Sequence, residues 1–335
     1  MKRLALVLFL VGAWQSSRAD SPMVASQYKE NFQQDVCVAM TRAADFLVAV
    51  QKPAKSTKVG WSWRVNDGQV SKNVSGLAAR ALLSAYEVSN EQRYLDAALR
   101  YADGLVAAKG TWSVDNLPYK ADVEFLADIA HTTGRSVYRD AALMAFHLVK
   151  KRSPAGSKEV SRIAAGRAKT PALLGFDTAL GIRAALAVSD RTYAYEMADD
   201  VIGRMDDWYK PTKNTRYSLL SGAALVVALS ELDLGHYKAV VERFRKDLVK
   251  FQQANGAWLS NETQPTAYAI MAMVDGTPYD RAVGLRGAHW LKSTMLEKGS
   301  YAVYNDYMPE PFVGQVISEV NAEALEALAL VCGTD

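Results

Sequence analysis

Five times along the chain a tyrosine opens a helix-like stretch: Tyr94-Leu-Asp-Ala97, Tyr138-Arg-Asp-Ala141, Tyr195-Glu-Met-Ala198, Tyr237-Lys-Ala-Val240 and Tyr279-Asp-Arg-Ala282. The intervals are 44, 57, 42 and 42 residues. Recurrence at about 40–47 residues is the mark of stacked helix pairs, each too small to bury its own apolar face alone. The chain is therefore expected to build one fold from repeated hairpins, with each tyrosine ring acting as a structural staple at a turn.

Helical periodicity runs almost throughout, and β-branched alternation is scarce. Two kinds of segment take turns. Val74–Tyr86, Ala121–His131, Thr178–Val188, Ser218–Leu232, Thr266–Val274 and Val320–Val331 are rich in Ala, Gly, Ser and Leu. Asp35–Val50, Glu91–Ala107, Tyr138–Arg152, Thr192–Trp208, Tyr237–Gln252 and Asp280–Met295 carry charge along one face. A helix apolar on most sides is buried, whereas one with a charged stripe faces water on that side. The expectation is an all-α, single (α/α)6 toroid over residues 20–335, with six inner and six outer helices.

Residues 1–19 read as a secretory signal peptide. Lys2 and Arg3 precede an apolar run from Leu4 to Ala13, and Ser17-Arg18-Ala19 forms a small-x-small cleavage site. The expected location is the periplasm or the medium, with no membrane-spanning segment. The two cysteines, Cys37 and Cys332, stand near opposite ends of the chain. In an exported protein they are candidates for a disulfide, and closing a ring of helices would make them neighbours. The alternative is a pair of buried thiols. A formal charge of +3 gives mild encouragement for an acidic ligand and none for nucleic acid. Oligomeric state is not legible.

Short turns lead from inner to outer segments, while the reverse connections are long: Ala108–Lys120, Ser153–Asp177, Tyr209–Tyr217, Gln253–Pro265 and Leu296–Glu319. Long loops with specific residues carry function more often than tight turns do, and these five share one end of the ring. They are aromatic, holding Gly110-Thr111-Trp112, Gly256-Ala257-Trp258 and Gly299-Ser300-Tyr301, with Tyr304 and Tyr307 beyond. Gly60-Trp61-Ser62-Trp63 precedes the first inner segment in the same way. Each ring can either wedge neighbouring hairpins apart or stack on a sugar at the central mouth.

Gln252-Gln253-Ala254-Asn255-Gly256-Ala257-Trp258 resembles the Gln-x-x-x-Gly-x-Trp repeat of terpenoid cyclases and related prenyltransferase-type α/α toroids, and Thr266–Ala269 and Val320–Leu325 resemble their helices. This implies the toroid. The cyclases' Asp-x-Asp-Asp motif does not occur, and Asp199-Asp200 and Asp206-Asp207 read as solvated positions on an outer helix. A second stretch, Trp112-Ser-Val-Asp115-Asn116 followed by Phe125-Leu126-Ala127 and Thr133–Ala141, is similar to toroidal pectate lyases. That resemblance implies a calcium-dependent site in which Asp115 would serve as catalytic and metal-binding residue. The cofactor expectation is therefore calcium or none.

Independently of family, carboxylates where inner helices begin are the natural catalytic candidates: Asp115, Asp122, Asp177, Glu262 and Glu319. Each can instead cap its own helix. Asp115, Asp177, Glu319 and Tyr304 are the leading catalytic candidates. Trp61, Trp63, Arg64, Trp112, Asn116, Arg216, Trp258, Tyr301 and Asn305 are the candidates for substrate binding. A glycosidase would use two such carboxyls, whereas a lyase would need a base and a partner for a uronate carboxylate. The expected function is cleavage of an acidic poly- or oligosaccharide. A non-catalytic toroid binding a protein, glycan or lipid is the alternative, and a terpenoid cyclase-like enzyme ranks third.

Overall fold

A computed structural model describes residues 22–52, 59–259, 261–301 and 314–333, with side chains from Gln33 onward. The leader expected over 1–19 lies outside them. The elements alternate in chain order. Outer α1 (Pro22–Val50) is followed by inner α2 (Lys72–Ser89), outer α3 (Gln92–Ala108), inner α4 (Lys120–Thr133) and outer α5 (Ser136–Arg152). After α6 (Gly156–Gly166) come inner α7 (Leu174–Ala187), outer α8 (Arg191–Gly203) and the short α9 (Met205–Trp208). The long α10 (Thr215–Phe251) has non-helical backbone at Asp233, so its first part is inner and its second outer. Inner α11 (Thr263–Val274), outer α12 (Pro278–Thr294) and inner α13 (Ser318–Cys332) complete the set.

The inner helices meet in the order α2, α4, α7, α10, α11, α13, and α13 returns to α2. The molecule is an α/α toroid. The expected twelve helices are not reproduced one for one: thirteen occur among the described residues, with α6 and α9 added and α10 spanning two positions.

Composition explains the layers. Ala78, Ala79, Ala81 and Ala85 of α2 are buried, as are Ala322–Leu328 of α13 apart from Glu326. Small side chains let inner helices approach one another while the outer helices cover them. On the outer part of α10, Tyr237, Val241, Phe244 and Leu248 are buried on one stripe. By length and hydropathy α10 is the one described helix that could cross a membrane, but two thirds of its apolar window (67%) is buried in the protein.

Helix ends follow local chemistry. Thr277 and Asp280 form a capping box at α12, behind which Pro278 occupies the first turn. Gly134 and Asn90 end α4 and α2 in the left-handed conformation.

The tyrosine repeat is real but its register differs from that read in the sequence. Tyr94, Tyr138 and Tyr193 each stand third in an outer helix and are buried. The third copy is therefore Tyr193, not Tyr195, whereas Tyr279 is 61% exposed. The hydroxyls do not serve the neighbouring inner helix. They reach back to the previous outer one: Tyr94 donates to Asp45 (3.0 Å), Tyr138 to Asp103 (2.7 Å) and Tyr237 to Asp199 (2.8 Å). Asp199 is thus a structural acceptor, and Asp200 pairs with Arg204 at 2.9 Å.

Ring closure is covalent. Cys37 of α1 and Cys332 at the end of α13 form a disulfide with Cα atoms 5.1 Å apart. Halfway down the barrel, Arg80 and Arg183 bind Glu124 and Glu326 from facing helices. Burial pushes Glu124 up, but the two guanidiniums outweigh it and hold the carboxyl below its ordinary range. These four side chains tie α2, α4, α7 and α13 together across the barrel.

Candidate functional site

One end of the barrel is ringed by first-turn residues of the inner helices. Lys72 opens α2, Lys120 opens α4, Asp177 stands in the first turn of α7, and Arg216, Gln264 and Glu319 are second in α10, α11 and α13. Each helix presents its N-terminus to this mouth, where the macrodipole and free N–H groups favour negative charge.

The loops that lead into the helices are fixed by a repeated bond. The fourth residues of α2, α10, α11 and α13 are Ser75, Ser218, Thr266 and Asn321. Their side-chain oxygens accept backbone N–H bonds from Trp61 (2.9 Å), Lys210 (3.0 Å), Trp258 (3.0 Å) and Tyr301 (2.8 Å) respectively. The aromatic residues of three of the four glycine-containing loops, Trp61, Trp258 and Tyr301, are thereby pinned. Trp61 and Trp258 are wholly buried, and their indoles donate to the carbonyls of Leu47 and Leu248 at 2.8 Å. Tyr301 is also buried. These three residues, expected from the sequence to bind substrate, are instead wedges between hairpins and present no face to the mouth. Trp112 is half-buried against the core.

Gln252, which opens the Gln-x-x-x-Gly-x-Trp run, ties its loop to the next outer helix. Its amide donates to Val283 and Gly256 carbonyls, and Arg286 donates to its oxygen. Gln51 repeats the arrangement with the Ala97 carbonyl and Arg100.

Of the candidate loop tryptophans, Trp63 is the one that reaches the site. Residues 63–65 zip to 316–318 through backbone bonds, Ser318 to Trp63 at 2.9 Å and Val65 to Val316 at 3.2 Å. This places the Trp63 indole N–H 3.1 Å from Glu319 Oε2. One turn further down α13 lies Glu323, 1% exposed, whose Oε1 accepts from the Gln264 amide at 3.1 Å. Gln264 Oε1 in turn accepts from Arg216 at 3.2 Å, and Arg216 pairs with Glu262 at 2.7 Å. Across the mouth, Arg167 pairs in bidentate fashion with Asp177. Tyr268, packed edge-on against Phe176 at 5.3 Å, forms part of the floor.

Electrostatics separate these acids. Burial raises Glu323 well above its ordinary range, and the neighbouring Glu319 charge adds to it. Burial also raises Glu319, against the pull of the Trp63 N–H, Arg216 and Arg167. Tyr119 is pushed far up by burial, with Asp177 and Glu319 reinforcing. The mouth thus holds two glutamic acids whose surroundings favour the protonated form, Glu323 more strongly than Glu319, and an Asp177 side chain clamped by Arg167. Paired carboxyls driven apart by their surroundings are how a site provides an acid and a base together.

Beside the mouth, a cavity of about 400 Å3 is lined by residues that include Lys72, Asp115, Lys120, Arg162, Arg167 and Asp177. Asp115 is exposed on its rim, and Asn116 forms a turn in which its amide donates to Thr111 O at 3.0 Å and accepts from Lys72. Among the described residues no three His, Cys, Asp or Glu side chains gather as a metal cage would require. Arg64 pairs with Asp67 at 3.3 Å on the loop behind Trp63. Tyr304 and Asn305 lie outside the described residues.

Of the sequence candidates, then, Asp177, Glu319, Trp63 and Arg216 converge. Glu323, Gln264, Arg167, Tyr119 and Lys120 were missed. Glu323 had a readable signal: an acid one turn after Glu319 inside the run Val-Asn-Ala-Glu-Ala-Leu, where every neighbour is small or apolar.

No protein-family model matches the sequence, and no curated protein matches it. Solved structures do resemble the fold. A polysaccharide lyase superposes with a TM-score of 0.56 at 13% identity, covering 89% of this chain and 97% of its own. An unsaturated glucuronyl hydrolase specific for heparin gives 0.60 at 10% identity, with 89% and 97% covered. The type II terpene cyclase MstE from Scytonema, in complex with geranylgeranyl dihydroxybenzoate, gives 0.60 at 13% identity, with 90% and 98% covered. These likenesses place the chain among the α/α toroids, the fold shared by terpenoid cyclase-type and carbohydrate-processing proteins.

Proposed function

We propose that this protein is an exported carbohydrate-active enzyme that cleaves an acidic poly- or oligosaccharide at the mouth ringed by the inner-helix N-termini. The observation that carries the reading is the pair Glu319 and Glu323, a half-buried and a fully buried acid one turn apart on α13, facing an Asp177–Arg167 ion pair. A carboxyl that retains its proton can donate it to a departing glycosidic oxygen, and an ionised carboxylate opposite can stabilise or attack the sugar. Trp63 supplies an apolar face beside Glu319, and six helix N-termini favour an anionic substrate. The Cys37–Cys332 disulfide and the leader-like residues 1–19 support a location in the periplasm or outside the cell.

Hydrolase and lyase chemistry differ in their products. Incubation with a panel of uronate polysaccharides, with and without calcium, is read by reducing ends and by the absorbance of unsaturated sugars. Reducing ends alone indicate hydrolysis, and absorbance indicates elimination. No product from any polymer under either condition overturns the enzyme reading.

A second reading, a glycan-binding toroid without turnover, is favoured by the way the mouth's polar groups engage one another: Glu323 with Gln264, Gln264 with Arg216, Arg216 with Glu262. It predicts saturable oligosaccharide binding and no products.

A further inference from the structure

The helix α6 has no counterpart in the alternation of inner and outer helices. It enters between α5 and α7, on the side of the mouth occupied by α2 and α4. Gly156 at its start lies so close to α8 that a Cβ there would stand 2.4 Å from the Tyr193 carbonyl, so the helix is seated tightly against that outer neighbour. Its Glu159 is 1% exposed and gathers cations around itself. Arg162 bonds it at 2.5 Å, Arg152 at 3.1 Å, and Lys120 stands 3.9 Å away. Burial pushes Glu159 up, but these cations and the Ser153 hydroxyl pull it down to about 2. It is therefore a permanent anchor for basic side chains.

What those side chains line is the cavity of about 400 Å3 beside the mouth. Lys72, Lys120, Arg152, Arg162 and Arg167 all contribute to it, against Asp115 and Asp177 in its lining and Glu159 behind. Five cations thus face three carboxylates. Asp177, one of the catalytic candidates, and its partner Arg167 both line this cavity. The volume lies within the range of small-ligand pockets, about 300–1,000 Å3. Two of the inner helices, α2 and α4, begin here, adding positive potential.

We infer that this cavity is a binding subsite for the anionic group of a sugar unit adjacent to the cleaved bond, a carboxylate or a sulfate, held between Lys72 and Lys120 of the toroid and Arg162 of the inserted α6. The inference rests on the reading of the mouth as a glycan site. It assigns to α6 the role of a selectivity element: the toroid supplies the acid chemistry, and the insertion supplies the charge that selects an acidic chain. Lys120 fits this role further. Burial lowers it to about 8 against the raising influence of Glu159 and Asp177, so near pH 8 an incoming anion would favour its protonated form.

The test is direct binding by calorimetry, using the Glu319→Gln protein to prevent turnover. The probes are defined tetramers of galacturonate, glucuronate and mannuronate, a sulfated disaccharide, and the carboxyl-reduced tetramers as neutral controls. At least one anionic probe is expected to bind about tenfold more tightly than its neutral counterpart. It should weaken between 50 and 500 mM salt, and take up protons at pH 8 in a comparison of two buffers. Lys72→Gln, at an exposed position, and Arg162→Gln should each weaken that probe about 3- to 10-fold. Melting curves confirm that both variants fold. Carboxylate and sulfate probes distinguish the source of the anion. No salt-sensitive binding by any anionic probe, equal binding of the neutral controls, or full affinity in both folded variants overturns the subsite. Anion-selective binding without cleavage of any polymer would leave the subsite standing and remove the enzyme reading, whereas cleavage indifferent to substrate charge would do the reverse.

Discussion

At the scale of single residues, the acids differ in what their burial does. Glu323 is buried, and burial outweighs the Gln264 and Tyr268 hydrogen bonds that favour its charged form, so its proton is retained in the folded protein at pH values where the unfolded chain has lost it. Its contribution to stability is complete below the ordinary glutamate value of 4.5 and disappears as pH rises from there through its elevated folded value. Glu323→Gln should therefore gain in melting temperature relative to the parent between pH 4 and pH 8. Its activity should fall at least about 100-fold if the carboxyl is the proton donor. Glu319→Gln serves as the comparison, and activity of the parent should decline as alkaline pH removes the donated proton. Glu159 has the opposite sign. Its value is depressed to about 2, so its contribution is complete above 4.5 and is lost as pH falls from 4.5 to 2. Glu159→Gln should cost about 3 kcal/mol at pH 7, as expected when one member of a buried ion cluster is neutralised, with the gap closing in acid. Thermal melts across that pH range measure both.

At the scale of elements, the Gly-x-aromatic loops turn a sequence pattern into a mechanical part. Gly256 (φ +94°) and Gly299 (φ +81°) adopt backbone that a side chain resists. A Cβ at Gly256 would stand 2.3 Å from the Arg286 carbonyl of α12, and one at Gly299 would stand 2.2 Å from the Arg42 carbonyl of α1. Gly256→Ala should therefore destabilise by about 2–3 kcal/mol, from left-handed strain plus backbone displacement, as measured by urea unfolding. Gly110 has open space and should accept alanine with little change. The sequence made these loops visible but not their direction. Trp61, Trp258 and Tyr301 looked equally suited to sugar stacking, because an aromatic ring beside a glycine reads alike whether it turns inward to the wall or out to the mouth. The pinning bonds from Ser75, Thr266 and Asn321 decide it, and they depend on the phase of each inner helix, which composition does not reveal. The tyrosine register failed for a similar reason. Tyr193 and Tyr195 stand two residues apart, and the Tyr-x-x-Ala pattern favours the one whose ring is less buried.

At the scale of the whole molecule, layering was the most legible property. Ala-rich and charge-striped segments follow directly from which helices touch water, and the first and last helices had to meet once the ring closed. Convergence at the mouth was only half legible. First-turn residues of consecutive inner helices could be named, but Gln264 and Arg167 carry no pattern of their own, and the helix α6 showed only as the longer, 57-residue interval between Tyr138 and Tyr195. The disulfide lies at the closing seam and should contribute stability without touching the mouth. Cys37→Ser with Cys332→Ser should lower stability by about 2–4 kcal/mol, a loss of several degrees in melting temperature, with activity on glycans unchanged at low temperature. The same bond has a topological result. Because it joins α1 to α13, the backbone between Cys37 and Cys332 becomes a covalent loop with no free end. One protease cut in a surface linker opens that loop without releasing a fragment, so a nicked molecule keeps its mass until a reductant is added. Under proteolytic attack the first scission within the loop would be survivable, and only a second would detach a piece of the ring.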